Sequence, residues 1–160
     1  MTETLTITTP TDRDVVLSRV FDAPANLVFD ALTKPDLIKR WSGIEGWTFV
    51  VCDVDLRVGG TWRFVSRKPN GKTVGQYGVY QEIVRGKRLV NTELWEDWDA
   101  GETLVTTELV EQRGRTTYTS TIRFPSQDVR DSVMKHGLSS SAPAMYDRLA
   151  ALLESALRAL

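Results

Sequence analysis

The chain has one histidine and one cysteine in 160 residues, and this restricts its chemistry at once. Zinc and iron centres usually need several His or Cys ligands, so no metal is expected. Cys52 would need a neighbouring base to become a nucleophile. It reads instead as a small strand residue, and His136 as a surface residue near a helix end, where it suits the dipole. Gly59-Gly60 is followed by no Lys-Ser/Thr pair and no helix start, so it is a turn and not a phosphate loop. Glu93 and Glu108 could form an acid–base pair, but the expected strand register puts both on the outer face of a sheet. No catalytic residue and no cofactor is expected. What remains is a set of polar residues in β-rich sequence: Gln81, Thr92, Thr107 and Ser120.

Four strands carry that set, over residues 76–84, 89–96, 103–111 and 116–124. Short turns between β-rich runs make antiparallel hairpins. A tight turn at Gly86-Lys87 sets Ile83 opposite Val90, Gln81 opposite Thr92 and Val79 opposite Leu94. A four-residue loop over 98–101 sets Leu94 opposite Val105, Thr92 opposite Thr107 and Val90 opposite Leu109. A tight turn at Arg113-Gly114 sets Leu109 opposite Tyr118, Thr107 opposite Ser120 and Val105 opposite Ile122. In this register one face is mostly apolar, crossed by the polar row. Glu82, Asn91, Glu93, Thr106 and Glu108 take the solvent side. The row is either a ladder of good β-formers bonded to each other or a belt that orients a ligand. The abundance of Thr in strands favours the ladder. A tight turn at Asn70-Gly71 adds Trp62 opposite Val79 and Phe64 opposite Tyr77, on the same apolar face.

The flanking elements follow from helix and turn signals. Residues 1–14 read as a mobile tail or loosely held edge, and 15–160 as a single domain. A strand over 15–21 leads to Asp22, which can cap a helix with Pro24 in its first turn. Lys34-Pro35 breaks that helix, and a second short one covers 35–41. Strands follow over 47–54 and 61–67. Ser126 can cap a helix to about His136, closed by Gly137. Ser139-Ser140-Ser141 and Pro143 then open a helix of about four turns. Its Ala142, Met145, Tyr146, Leu149, Leu152 and Leu153 recur at three- and four-residue steps. Such a stripe needs an apolar surface, and the meander supplies one. Trp95-Glu96-Asp97-Trp98-Asp99 falls at a hairpin tip, as a solvated loop or a partner contact.

Composition excludes several partners. With 20 basic and 21 acidic residues there is no basic excess, so no nucleic acid is expected. No apolar run reaches the length of a membrane span. Residues 1–14 are polar and have no apolar core of a signal peptide. The lone cysteine forms no internal disulfide, which makes a reducing, cytoplasmic location the default.

Several motifs carry a resemblance. Arg19-Val20-Phe21-Asp22-Ala23-Pro24, Val28-Phe29-Asp30-Ala31 and Lys39-Arg40-Trp41 resemble the opening of proteins related to the activator of heat-shock protein 90 ATPase. Asp55-Leu56-Arg57-Val58-Gly59-Gly60-Thr61-Trp62-Arg63-Phe64 resembles that family's central motif. Gly78-Val79-Tyr80-Gln81-Glu82-Ile83 and Tyr146-Asp147-Arg148-Leu149 continue it. The similarity is to small single-domain bacterial members, within the START-like (SRPBCC) superfamily. It departs from them at Ser42, where a second aromatic often stands, and at Ser141-Ala142, where a Gly-Trp pair is common. Smaller residues there should open space at a cavity mouth.

The resemblance implies an α+β helix-grip fold (START/Bet v 1-like): a curved antiparallel sheet wrapped on a long C-terminal helix, with two short helices after the first strand. Between sheet and helix it implies a cavity and no single activity. The expected function is binding of a small, largely apolar molecule. Trp41, Trp62, Phe64, Tyr77, Leu94 and Leu109 would form its walls, with Tyr118, Tyr146 and Leu149. Gln81, Thr92, Thr107 and Ser120 would orient the ligand. Two alternatives stand beside this: a co-chaperone-like module, and a cyclase- or hydratase-type enzyme, whose mark would be an inward-facing acid or His with a perturbed pKa. A homodimer is also expected, with the 95–98 hairpin as a candidate contact.

Overall fold

The computed structural model describes residues 3–159. Eight strands form one antiparallel sheet: β1 (Thr6–Thr8), β2 (Asp14–Phe21), β3 (Thr48–Val54), β4 (Thr61–Arg67), β5 (Thr73–Val84), β6 (Arg88–Trp95), β7 (Thr103–Gln112) and β8 (Arg115–Arg123). Their order is β1-β2-β8-β7-β6-β5-β4-β3. The expected meander is therefore its centre, and β2 closes against β8. Two short helices, α1 (Ala25–Thr33) and α2 (Pro35–Trp41), lie between β2 and β3. After β8 come α3 (Gln127–Val133), a wide turn over Met134–Leu138 and α4 (Ser139–Arg158). This is the helix-grip α+β fold. No helix among the described residues is long and apolar enough to cross a membrane.

The sheet buries its concave face. On β2 the alternate residues Val15, Leu17, Arg19 and Phe21 are buried, the period-2 signature of a half-buried strand. On α4 the buried set is Ala142, Tyr146, Leu149, Leu152 and Leu153, the stripe expected from the sequence. The stretch expected as a tail contains β1, which pairs Thr6 with Ser18. That pairing makes it an edge strand.

Two caps differ in detail. Ser126 Oγ accepts from the Val129 amide at 3.2 Å, as its position before α3 suggests. Asp22 does not cap α1. It pairs with Arg115 at 2.5 Å, and the Ala25 amide donates to Glu111 Oε1 of β7 at 2.6 Å instead. The orphan amide of the helix start is met from across the sheet.

The register of the central strands departs from expectation in three places. Between β4 and β5, Arg67 pairs with Thr73 and Trp62 with Gly78, and the Lys68 amide donates to the Lys72 carbonyl at 2.8 Å, which leaves a three-residue loop, 69–71. The loop after β5 also has three, 85–87, and a bulge at Gln81 shifts the pairing again, so that Tyr77 faces Leu94 and Tyr80 faces Asn91. A three-residue hairpin loop holds one residue more than the tight turn expected. Between β6 and β7 the offset is larger, with Glu93 opposite Thr103 and Leu89 opposite Thr107. There Glu96 stays with the β5 side: its amide bonds the Gly75 carbonyl at 2.9 Å, and its carboxylate bonds Arg63 at 2.5 Å. The β6–β7 loop starts early as a result. An odd shift flips every side chain to the other face. The β7–β8 pairing through Arg113-Gly114 is as expected: Thr107 with Ser120, Leu109 with Tyr118 and Val105 with Ile122. Both turn residues have positive φ, 56° and 76°, as a two-residue type I′ turn requires.

Candidate functional site

The sheet, the short helices, the turn after α3 and α4 line a half-open cavity of about 690 Å³. Its aromatic wall comes from Trp62 and Phe64 on β4, Tyr80 on β5 and Trp41 on α2. Trp62 reaches across β5: its indole nitrogen donates to the Thr92 carbonyl at 3.2 Å. Gly78 leaves room for that ring, since a Cβ there would stand 2.7 Å from the indole nitrogen and 1.9 Å from the Thr92 carbonyl. Trp41 is pinned by its own indole, which donates to the Ala31 carbonyl at 2.8 Å. Ser42, Ser141 and Ala142, the three positions where bulk was expected to be missing, all line the cavity, and Ala142 is buried. The mouth loop is tied to α4. Arg148 donates to the carbonyls of Trp41, at 3.1 Å, and of Gly43.

The polar groups inside are few. Thr107 and Ser120 lie 3.5 Å apart on neighbouring strands. Close by, the hydroxyls of Tyr118 and Tyr146 bond each other at 2.6 Å. Burial raises the Tyr118 phenol. Burial, then its Tyr118 neighbour, then Glu93 raise Tyr146 well above its ordinary value. The third polar feature is Glu93 itself, which lines the cavity and accepts from Gln76 Nε2 at 3.0 Å. Burial pushes its carboxyl up to about 7, because removal from water disfavours the charged form.

Of the residues chosen from the sequence, Trp41, Trp62, Phe64, Thr107, Tyr118, Ser120 and Tyr146 line this cavity. Leu109 and Leu149 are buried core behind it. Tyr77, Gln81, Thr92 and Leu94 are not brought to it. Tyr77 and Leu94 oppose each other on the convex face, where Tyr77 is 41% exposed. Gln81 is the exposed bulge residue. Thr92 is buried, but its hydroxyl accepts from the Val79 amide at 3.0 Å and braces that bulge. The four-strand polar row therefore does not exist; only its Thr107–Ser120 half does.

The same flip brings in residues of the expected outer face. Gln76, Asn91, Glu93 and Trp95 all line the cavity. Glu108 does face solvent, 3.3 Å from Arg88, so no Glu93–Glu108 pair exists. The side chains of β6 gave no warning. Val90, Thr92 and Leu94 form the more apolar set, yet Leu89, Asn91, Glu93 and Trp95 face inward. The lengths of the two flanking loops and the bulge at Gln81 carry that information. His136 stands at the rim, its Nδ1 2.8 Å from the Ser132 carbonyl. Trp98 also turns to the rim, 6.0 Å from Trp95. Cys52 lies outside the cavity, with its thiol pushed up by burial. No group of three potential metal ligands occurs among the described residues.

Known proteins resemble this architecture closely. The family model described as Activator of Hsp90 ATPase homolog 1-like protein matches residues 22–154. A crystal structure of a protein from Rhodobacter sphaeroides is 28% identical, with a TM-score of 0.88 over 95% of this chain and 99% of that one. An X-ray structure of a protein from Nitrosomonas europaea is 27% identical, with a TM-score of 0.83 over 94% and 99%. The crystal structure of CalU16 from Micromonospora echinospora, at 21% identity and a TM-score of 0.63 over 98% and 88%, shares the fold. No curated protein matches the sequence.

Proposed function

The chain belongs to the family of Activator of Hsp90 ATPase homolog 1-like proteins, and from that membership we propose that it binds a small, largely apolar molecule between its sheet and its C-terminal helix. The observation that carries the reading is the cavity of about 690 Å³, a volume typical of small-molecule sites. Trp41, Trp62, Phe64, Tyr118 and Tyr146 would supply apolar contact, and Thr107 and Ser120 a polar anchor. The free Cys52 thiol fits a reducing, cytoplasmic setting.

One observation favours a second reading, proton transfer to or from a bound apolar substrate. Glu93 is an inward-facing acid whose carboxyl is pushed up to about 7 by burial, where a group can serve as acid and as base.

The test of binding uses N-phenyl-1-naphthylamine, a neutral apolar dye that fluoresces when it leaves water, together with native mass spectrometry of freshly purified protein. Saturable fluorescence, lost when Ala142→Trp fills the cavity from the α4 side, is the expected result. Absence of both a dye signal and a co-purifying mass would sink the reading.

A further inference from the structure

We propose that the cavity selects molecules with a protonated amine: an apolar body among the tryptophans and one ammonium head on the Glu93 carboxylate. This rests on the reading that the cavity binds an apolar molecule, and adds the charge of its head group.

Three observations carry it. First, Glu93 is the only Asp, Glu, Lys or Arg among the described residues that line the cavity. Glu93 is half-buried, and a carboxylate partly withdrawn from water gains from a cation that meets it. Arg63, Arg19 and Arg148 are committed elsewhere. Arg63 holds Glu96 at 2.5 Å, Arg19 holds Asp147 at 2.6 Å, and Arg148 holds the Trp41 and Gly43 carbonyls. The missing positive charge is therefore left for a ligand to bring.

Second, all five tryptophans of the chain line this one space: Trp41, Trp47, Trp62, Trp95 and Trp98. The face of an indole is the negative end of its quadrupole and attracts an ammonium group; Trp47 already has the Lys68 ammonium 5.4 Å from its ring centre, which leaves Trp41, Trp62, Trp95 and Trp98 for a ligand. Trp95 and Glu93 lie on the same face of β6, so both attractions act from one strand. Third, the described lining holds no lysine or arginine for a carboxylate or phosphate head. An anion would stand beside Glu93 with no lysine or arginine to receive it.

The other titratable groups lining the space are three phenols and His136. Tyr80 on β5 is pushed up to about 12 by burial, and Tyr118 on β8 and Tyr146 on α4 are raised. These three phenols stay neutral between pH 5.5 and 8. His136 is at the rim, turned to the Ser132 carbonyl at 2.8 Å. An ammonium ligand needs the Glu93 carboxylate, so at low pH its entry releases the carboxyl proton to water. With the Glu93 carboxyl near 7, affinity should fall roughly thirtyfold from pH 8 to pH 5.5.

The test titrates three matched probes, decylamine, decanol and decanoate, below their aggregation limits and follows the fluorescence of the lining tryptophans. At pH 8 the parent protein should bind decylamine at least tenfold more tightly than decanol, and decanoate least. Decylamine should weaken roughly thirtyfold at pH 5.5, while decanol should not change. Glu93→Gln keeps the size of the side chain and should abolish both the amine preference and the pH dependence. Should that variant fail to fold, the head-group order and pH profile of the parent decide alone. Equal binding of decylamine and decanol would overturn the amine inference and leave the apolar-ligand reading standing. Tightest binding of decanoate would do the same. Binding of none of the three would overturn both.

Discussion

The phenol oxygens of Tyr118 on β8 and Tyr146 on α4 lie 2.6 Å apart, with their rings 5.3 Å centre to centre. One hydrogen bond thus joins the concave face of the sheet to the long helix at the cavity wall. Both side chains are buried, so neither hydroxyl can turn to bulk water if its partner is removed. Beside them, Leu149 is fully buried and anchors the same helix without a polar atom.

Two kinds of loss should follow at this contact. Leu149→Ala and Tyr146→Ala should each cost roughly 2–5 kcal/mol, as large-to-small core changes do. Tyr146→Phe keeps the ring and removes only the bond, and should cost roughly 1–3 kcal/mol, the penalty of an unpaired buried hydroxyl. Urea denaturation of the three variants checks the order. If Tyr146→Phe proves as damaging as Tyr146→Ala, the helix is held by the hydrogen bond and not by packing.

Glu93 should make stability depend on pH. Its carboxyl titrates near 7 in the folded protein against 4.5 in the open chain, because of burial. Between those values the folded state keeps a proton that the unfolded state has lost. Stability therefore falls as pH rises from about 4.5 to 7, by roughly 3 kcal/mol at most, and is level above that. Glu93→Gln should remove this slope and be more stable than the parent at pH 8. Denaturation midpoints of both proteins at pH 5.5 and 8 measure it. A parent whose midpoint does not move would mean that water reaches the carboxylate freely.

The contrast between Tyr118 and Glu93 marks what could be read from the sequence. Tyr118, Thr107 and Ser120 were placed correctly because Arg113-Gly114 admits one turn geometry, which fixes the β7–β8 pairing. The stripe of α4, the Pro35 start of α2 and the limits of β4 were legible for similar local reasons. Glu93 was misplaced because Asn70-Gly71 and Gly86-Lys87 both suit a tight turn, yet each sits in a three-residue loop. The Gln81 bulge and the early exit of β6 at Glu96 depend on contacts with other strands, which no local pattern carries. Arg19 was likewise legible only in part. It continues the inward alternation Val15, Leu17, Arg19, Phe21, but a charged residue there does not announce a partner 128 residues away.

Gly78 should tolerate no side chain. A Cβ would meet the Thr92 carbonyl oxygen at 1.9 Å and the Trp62 indole nitrogen at 2.7 Å. The first is backbone and cannot move without parting β5 from β6. Gly78→Ala should therefore cost at least the roughly 1–3 kcal/mol of an overpacked site, and shift the emission of Trp62 as its ring is displaced. Gly71→Ala is the comparison: nothing lies within 4 Å of its Cβ position, and its φ of 86° sets the only penalty. Equal stability of Gly78→Ala and the parent would show that β5 can bend away from the ring.

The Arg19–Asp147 pair should respond unequally to loss of its two members. Arg19 Nη1 and Asp147 Oδ1 are 2.6 Å apart, but the arginine side chain is 3% exposed and the aspartate 66%. Arg19 Nε is buried with no hydrogen-bond partner, and the guanidinium lies 5.4 Å from the centre of the Phe21 ring. The arginine thus bears most of the desolvation, and Asp147 returns part of it from the edge of α4. Asp147→Ala leaves a buried cation without its counter-charge and should cost roughly 1–3 kcal/mol. Arg19→Met fills the same space with apolar atoms and leaves Asp147 in water, where it needs no partner. That exchange should be close to neutral or stabilising, as it often is when a buried ion pair gives way to packed side chains. Urea denaturation of both single variants and the double variant decides the matter. A double variant as stable as Arg19→Met would show that Asp147 matters only through Arg19. An Arg19→Met variant weaker than Asp147→Ala would mean that the guanidinium stabilises the core through Phe21 and its stem, with the aspartate incidental.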